Sequence, residues 1–510
     1  MSQLGTPFSP PPPYAPPPVP PPSRPTSADI PGWMVLFAAF LAFGLAGLLA
    51  FVVVHGRDDG TAAPAPRHVI HHYPEHWNHR IAPLARIAAK DRGLAFEHPV
   101  GVRFLKPAAF RKTLTKSDGK TTPRDRRQIE RAEGELRALG LLSGHVDLLQ
   151  AAKSANGAEV LAYYSFRTKS ITVRGRTLTP SIKATLVHEL THVLQDQNFR
   201  IGHRLKELQK AKGPDTGTYD VLDAIVEGDA DRIEQQYRAS LTPTQQQALD
   251  AAQRREQAGA QSGLANVPHI VVALMSAPYE LGLAMTQAVS AQGGNAAVNH
   301  LLRTPPTHDV TLLDPVRALT GATGAAHVAA PTLTGKEKKL ESGEFGAVSL
   351  YLTLASRLPE QASLAAADGW GGDSYVAYHQ GQTTCMRVHV TGRTSEDTSR
   401  IYSSLRAWSA AGPDGWSVAM VNGVVQLQSC DPGTKVRSGT ESSTKAVTYA
   451  AVRNQYVVTL SRAHVPPAAA QCITTHLFDS YPFSELSDPS FGTNDPSVQA
   501  QVREIAIGCR

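Results

Sequence analysis

The sequence predicts a mixed α+β protein that follows a single membrane-spanning helix. Three observations lead to this prediction. An uncharged apolar run lies near the N-terminus, strand hairpins and amphipathic helices fill the rest of the chain, and 510 residues suffice for two or three domains with hydrophobic cores. The predicted segments are a tail (1–32), a transmembrane helix (33–54), a linker (55–84), a first domain (85–334) and a smaller C-terminal α+β domain (335–510).

The first 54 residues contain two segments of biased composition. Residues 1–32 are rich in proline, which disfavours helices and central strands, so we expect a disordered tail and a cytoplasmic partner that recognises proline-rich ligands. Residues 33–54 carry no charge and, at about 1.5 Å per residue, reach the roughly 30 Å hydrocarbon thickness of a bilayer. They are too long and begin too late for a cleavable signal peptide, which predicts an anchor.

Cysteine usage predicts the side of the membrane. The four cysteines lie far from the N-terminus: Cys385, Cys430, Cys472 and Cys509. An even number in one region is typical of two disulfides in an oxidising compartment, and four buried thiols are the alternative. We expect Cys385 to pair with Cys430, Cys472 to pair with Cys509, and the body of the protein to be exported behind a cytoplasmic tail.

The charge balance excludes one class of partner. The net charge is +6, and arginines and lysines cluster between residues 103 and 137. No nucleic-acid-binding motif accompanies this cluster, so we interpret it as the solvated face of a helix and predict no nucleic-acid partner.

Periodicity and turn signals predict the elements in order. Residues 98–105 have the β-branched content of a strand, and 159–175 contain two apolar runs around a polar turn, which predicts a hairpin. Helical spacing predicts helices at 123–142, from Pro180 with Thr179 as its cap, and at 218–241. The C-terminal part is predicted to contain helices at 343–358 and 395–412, strand pairs at 375–392 and 416–430, and a strand-turn-strand at 446–465.

The predicted helix that begins at Pro180 carries the pattern H-E-x-x-H. His188 and His192 are four residues apart, so both imidazoles share one helix face and can reach one zinc ion, while Glu189 beside them can accept a proton from water. A catalytic zinc needs a third protein ligand, and the next helix offers Glu227. Asp231, one turn later, can accept the second N–H of a histidine ligand. The alternative is a core histidine pair bonded to these acids, which leaves several polar groups in an apolar interface.

This set of residues resembles the gluzincin metallopeptidases, the thermolysin-like clan. The stretches "HELTHVLQDQNF", "VEGDA", "APYELG", "RTPPTHDVTLLDP", "GEFG" and "GWGGDSYVAY" look similar to a largely uncharacterised group of bacterial proteins with such a site. The resemblance implies a gluzincin-like zincin domain with an edge-strand hairpin and active-site helices, one zinc ion, and a peptide or protein substrate.

The predicted chemistry follows from these parts. Zinc-activated water attacks a peptide carbonyl with Glu189 as general base. Tyr279 is the first candidate to stabilise the oxyanion, with Tyr219 and His308 as others. The sequence therefore predicts a membrane-anchored zinc endopeptidase, and the alternative is a non-catalytic exported binding or scaffold protein that contains zinc.

Overall fold

The computed structural model describes residues 73–115, 123–210, 217–437, 442–488, 491–492 and 495–509. The predicted tail, the predicted membrane helix and the linker up to residue 72 lie outside the described residues. Within the described ranges, one helix, His269–Arg303, is long and apolar enough to cross a membrane, but 67% of its most apolar window is buried inside the protein.

The first half of the described chain consists of three short strands and many helices. In chain order its elements are α1 (Ala82–Arg92), β1 (Gly101–Leu105), α2 (Pro107–Thr115), α3 (Pro123–Ala138), α4 (Leu148–Glu159), β2 (Ala162–Ser165), β3 (Ser170–Arg174), α5 (Pro180–Phe199), α6 (Ile201–Lys210), α7 (Gly217–Ala239), α8 (Pro243–Leu264), α9 (His269–Arg303), α10 (Val310–Leu313) and α11 (Pro315–Thr320). Helix α1 begins at Ala82, inside the segment predicted as linker, and its side chains Leu84, Ala85 and Ala88 are buried.

The three strands form one sheet in the order β1-β3-β2. Strand β1 is parallel to β3, and β2 is antiparallel to the other side of β3, which confirms the predicted hairpin. Strand β2 is therefore an edge strand, and it packs against helix α5. Helix α5 begins as predicted, because the Thr179 hydroxyl accepts from the backbone N–H of Ile182 at 3.2 Å and Pro180 occupies the first turn.

Helices α7 and α9 cross at very short distance. The crossing point lies at Gly228 and Gly282, where a Cβ atom on either residue would overlap the backbone of the other helix. Only glycine permits this approach, which explains the glycines of "VEGDA" and "APYELG" and holds α9 against α7, the helix that packs on α5.

The second half contains a larger sheet covered by helices. Its elements are β4 (Lys338–Gly343), α12 (Ala347–Ala355), α13 (Glu360–Asp368), β5 (Trp370–Gln380), β6 (Thr383–Gly392), α14 (Ser395–Ala410), β7 (Ser417–Val421), β8 (Val424–Cys430), α15 (Ser443–Arg462), α16 (Pro467–Ser480), α17 (Phe483–Leu486) and α18 (Pro496–Gly508). The strands are antiparallel in the order β4-β5-β6-β8-β7. The predicted α+β class is confirmed.

Both predicted disulfides are present. Cys385 and Cys430 lie opposite each other on β6 and β8 and are bonded across the sheet. Cys472 on α16 is bonded to Cys509 at the end of α18. The prediction of two disulfides is therefore confirmed, with the pairing expected from the positions of the cysteines.

Two expectations from the sequence are wrong. The segment predicted as strand-turn-strand at 446–465 is helix α15, which packs along α9. Its β-branched residues favoured strands, but Val447, Ala450, Ala451 and Val458 recur at helical spacing and are buried, so packing decided the outcome. The basic cluster is also not simply a solvated helix face, because Arg137 of α3 is buried and is bonded to Asp431 of the C-terminal half at 2.7 Å.

Candidate metal centre

Helices α5 and α7 bring three metal-ligating side chains together. The His188 Nε2 and His192 Nε2 atoms are 2.9 Å apart, and each lies 3.3 Å from the same Oε2 atom of Glu227. Ligand atoms that bind a tetrahedral zinc ion at about 2.0–2.1 Å are separated from one another by about 3.3 Å. The three predicted ligands therefore fit one zinc ion, with a fourth position left for another ligand.

The centre is deeply buried. The exposed fraction is 3% for His188, 0% for His192 and 4% for Glu227. His188 and His192 are one turn apart on α5, and Glu227 faces them from α7. Three polar groups in such a place are costly unless a cation pairs with them, which favours a bound metal over a simple core.

Each histidine is oriented by a different second partner. The Nδ1 atom of His188 lies 3.0 Å from an oxygen of Asp231, the residue predicted for this role. The Nδ1 atom of His192 lies 2.9 Å from Oε1 of Gln195, which the sequence reasoning missed. Such contacts hold the tautomer that leaves Nε2 able to bind a metal. Gln195 is three residues after His192, so helical spacing offered a signal for it.

Gln195 is itself held by a buried charge network. Its amide nitrogen donates to Oδ2 of Asp229 at 3.0 Å. The same aspartate accepts from the guanidinium groups of Arg92 at 2.7 Å and Arg232 at 2.8 Å. Burial alone would raise the pKa of Asp229, but the two arginines and the amide bring it below its ordinary value. The network ties helix α1 to the metal centre, and sequence reasoning did not find it.

Glu189 lies next to the ligands without being one of the three. Its side chain is fully buried, and its Oε2 atom accepts from the backbone N–H of Tyr164 on edge strand β2 at 2.7 Å. Its Oε1 atom is buried and has no hydrogen bond within the described part of the chain. Burial raises the pKa of Glu189 well above its ordinary value, so the group is suited to accept a proton.

The end of the motif fastens the hairpin to helix α5. Asp196 accepts from the hydroxyl of Tyr164 at 2.8 Å, from the ammonium of Lys169 and from the N–H of Gly202 at 3.0 Å. Burial raises the pKa of Tyr164, and Asp196 adds to the shift, so the hydroxyl remains a donor. Asp196, which follows the H-E-x-x-H motif, therefore holds edge strand β2 beside the candidate metal centre.

The three predicted oxyanion candidates lie in different surroundings. The ring of Tyr279 is stacked near His188, with 6.4 Å between ring centroids, and burial followed by the carboxylate of Glu227 raises its pKa well above its ordinary value. Tyr219 is on α7, two turns before Glu227, and is 9% exposed. His308 is bonded to Glu344 at 2.7 Å and lies beside Trp370 of the C-terminal sheet. Tyr279 has a ring contact with His188, and the charge of Glu227 adds to the burial that raises the pKa of Tyr219.

A second cluster of acids, termed here the acid cluster, consists of buried Asp309 and half-buried Glu344 and Asp373. Asp309 accepts from the N–H groups of Ala347 and Val348 at 2.7 and 3.1 Å, at the start of helix α12. Asp373 accepts from the N–H groups of Phe345 and Gly346 and from the Trp370 indole. The stretches "THD", "GEFG" and "GWGGD" thus meet at one place and join the two halves of the chain.

Comparison with known proteins adds one match. Residues 333–464 match the family model described as Domain of unknown function (DUF8575). No curated protein matches the chain significantly, and no solved structure does either. The matched region begins close to the predicted boundary at residue 335 and contains none of the proposed metal ligands.

Proposed function

We propose that this protein is a membrane-anchored zinc metallopeptidase of gluzincin type. One observation carries the proposal: the ligand atoms of His188, His192 and Glu227 converge within 2.9–3.3 Å, and a separate carboxylate, that of Glu189, lies beside them. Holding a metal requires the three ligands only. The additional buried carboxylate on the adjacent residue has a role in proton transfer and none in metal retention.

The residues of the chain would divide the chemistry between them. When bound, zinc lowers the pKa of a coordinated water towards about 7 and polarises a carbonyl. Glu189 would accept the proton from the attacking water and later deliver it to the leaving amine. The N–H of Tyr164 holds one oxygen of Glu189, so the other oxygen is the one available for this transfer. Tyr279 would donate to the developing oxyanion.

The edge strand offers a place for an extended substrate. Arg174 donates its N–H to the carbonyl of Leu161, so alternate residues of β2 are bonded to β3. By the same alternation, the backbone N–H and C=O groups of Ala162 and Tyr164 point away from β3, towards the outer edge of the sheet. The N–H of Tyr164 reaches Glu189 there. A peptide added along this edge would lie across the base and the ligands.

We further propose an anchor at residues 33–54, a cytoplasmic tail with a proline-recognising partner, and an exported body. Two disulfides support the exported placement, because structural disulfides persist in oxidising compartments.

One observation favours the alternative, a non-catalytic exported protein whose zinc is structural. All three ligands are at most 4% exposed, as structural metal sites usually are, and a peptidase must admit a substrate. The two functions differ in what Glu189 does, so they can be separated by experiment.

The test uses the full-length chain, its Glu189→Gln variant and a Glu130→Gln control at an exposed position of helix α3. Metal content is measured by mass spectrometry, and cleavage is measured on a peptide library. We expect about one zinc per chain in all three proteins and a loss of cleavage of about 10²-fold or more in Glu189→Gln alone. Zinc without cleavage by any of the proteins would establish the alternative. Wild type without zinc would overturn both functions.

A further inference from the structure

A cavity of about 400 Å³ lies beside the candidate metal centre, between helices α7, α9 and α15. Asp231, the partner of His188, forms part of its wall, and Val452 of α15 forms another part. The cavity is thus lined by both halves of the chain and by Tyr279, the oxyanion candidate, and its lining residues lie outside edge strand β2. Its size is within the usual range for pockets that bind small molecules.

The cavity wall contains acceptors without donors. Glu280 is 5% exposed, and both of its carboxyl oxygens are buried without a hydrogen bond in the described part of the chain. Gln287 is 6% exposed, and its Oε1 atom is also buried without a hydrogen bond in the described part of the chain. The amide nitrogen of Gln287 donates to Gln235 at 2.7 Å, which fixes the orientation of the side chain and leaves the oxygen as an acceptor.

The nearby cation does not satisfy these acceptors. Arg238 also lines the cavity, but its guanidinium is bonded to Glu234 at 2.9 Å. Burial raises the pKa of Glu280 to about 7, and the neighbouring Ser276 hydroxyl, which donates to the carbonyl of Ala273, offsets only part of this shift. A buried carboxyl with two unused oxygens is costly, and a ligand that brings donors would remove the cost.

The remaining wall indicates the shape of such a ligand. Leu283 and Val452 contribute apolar surface, which suits an aliphatic stem. Three acceptor oxygens, two of them on one carboxyl, suit a planar fork of N–H donors better than the compact ammonium of a lysine. We propose that this cavity binds an aliphatic guanidinium group, with Glu280 as its carboxylate partner and Gln287 as its second acceptor. The proposal does not depend on the zinc chemistry.

The group could be the side chain of a peptide arginine or a free small molecule. The probe is therefore n-butylguanidinium, titrated calorimetrically into the full-length chain in a non-ionic detergent. n-Butylurea, which has the same shape and no charge, is the matched ligand control. Glu280→Gln removes the charge, Val452→Trp fills the cavity without touching Glu280, and Glu130→Gln is the control variant.

We expect n-butylguanidinium to bind saturably to wild type and to Glu130→Gln. Wild type should bind n-butylurea at least about tenfold more weakly, because the ligand has no charge. Glu280→Gln should bind n-butylguanidinium at least about tenfold more weakly, because the charge-assisted pair is lost. Val452→Trp should abolish binding even if Glu280→Gln fails to fold. Absence of binding to wild type, equal affinity for n-butylurea, or binding that survives Val452→Trp would overturn the proposal. Competition by an N-acetylated, C-amidated Gly-Arg-Gly peptide would identify a peptide side chain as the occupant, and its failure to compete would identify a free small molecule.

Discussion

The candidate metal centre and the acid cluster both contain buried carboxylates, and helix α7 reaches both. Asp220, near the start of α7, has its pKa raised by burial and then by the charges of Asp309 and Glu344. Glu227, about two turns later, faces His188 and His192. The two places differ in what surrounds the acids. In the acid cluster Asp309 and Asp373 accept from backbone N–H groups, whereas Glu227 faces imidazole nitrogens.

This difference separates carboxylates that hold the scaffold together from those of the candidate site. A carboxylate that accepts two or three N–H groups from the protein has its hydrogen-bonding capacity used and holds a loop in place. A carboxylate oxygen that lies 3.3 Å from two imidazole nitrogens has the spacing of a metal ligand. Burial and acidity alone do not identify a functional site, but the atoms that the acids face do.

The largest expected effect is on metal content. His192→Ala removes one of three ligands, so zinc per chain should fall from about one to nearly none. Asp309→Asn alters the acid cluster and should leave the zinc content unchanged. Mass spectrometry of the purified proteins measures both. Loss of zinc in Asp309→Asn, in a chain that remains folded, would remove the distinction between the two places.

The next effect concerns the charges behind the metal centre. Asp229→Asn leaves Arg92 and Arg232 buried without their carboxylate, and Arg92 is 0% exposed. Breaking such a buried pair costs about 3–5 kcal/mol of unfolding free energy. Denaturant unfolding measures the change, with Asp250→Asn on exposed surface as the control. A change below about 1 kcal/mol would mean that the network does not hold α1 against the centre.

A somewhat smaller effect is expected at the helix crossing. Gly228→Ala places a methyl group against the backbone of α9 at Gly282, so α7 must move away. Overpacking of this kind costs about 1–3 kcal/mol, and the shift should also weaken zinc binding because Glu227 is the neighbouring residue. Gly324→Ala, where a Cβ meets nothing within 4 Å, is the control. Unchanged unfolding and zinc affinity in Gly228→Ala would show that the crossing does not position Glu227.

The smallest effect, taken over one pH unit, is a dependence of stability on pH that originates in the acid cluster. Burial raises the pKa of Asp309 and Asp373 to about 7, with Glu344 contributing to both shifts, while backbone N–H groups offset part of them. The native state therefore holds more protons than the unfolded state between about pH 4 and 7, and this contribution to stability is lost as pH rises through that window. The slope is at most about 1.4 kcal/mol per pH unit for each group.

Asp309→Asn removes one of these groups and should make the fall in unfolding free energy between pH 4 and 7 less steep. The comparison with wild type is made at saturating zinc, so that metal binding does not contribute to the difference. An identical slope in both proteins would mean that Asp309 is ionised throughout and that its backbone donors outweigh its burial.

Much of the candidate site was accessible from the sequence because it depends on local spacing. The cap at Thr179, the pair His188 and His192 on one face, and the hairpin before them are each encoded within a few residues. Glu227 was found because its helix has a clear apolar stripe. The error at α15 has the same origin, since valines and tyrosines at local scale favour a strand and only packing along α9 favours the helix.

The sequence by itself determined the α+β class, the disulfide cysteines and the residues proposed to bind zinc. Tertiary structure alone decided which distant residues pack against and hydrogen-bond to these elements. Arg92 contacts Asp229 across 137 positions of sequence, and Asp309 contacts Ala347 across 38. The cavity at Glu280 likewise exists only because α15 packs beside α7 and α9. Contacts between distant residues leave no periodic signal in a single chain, because the free energy that selects them comes from burial in the assembled core.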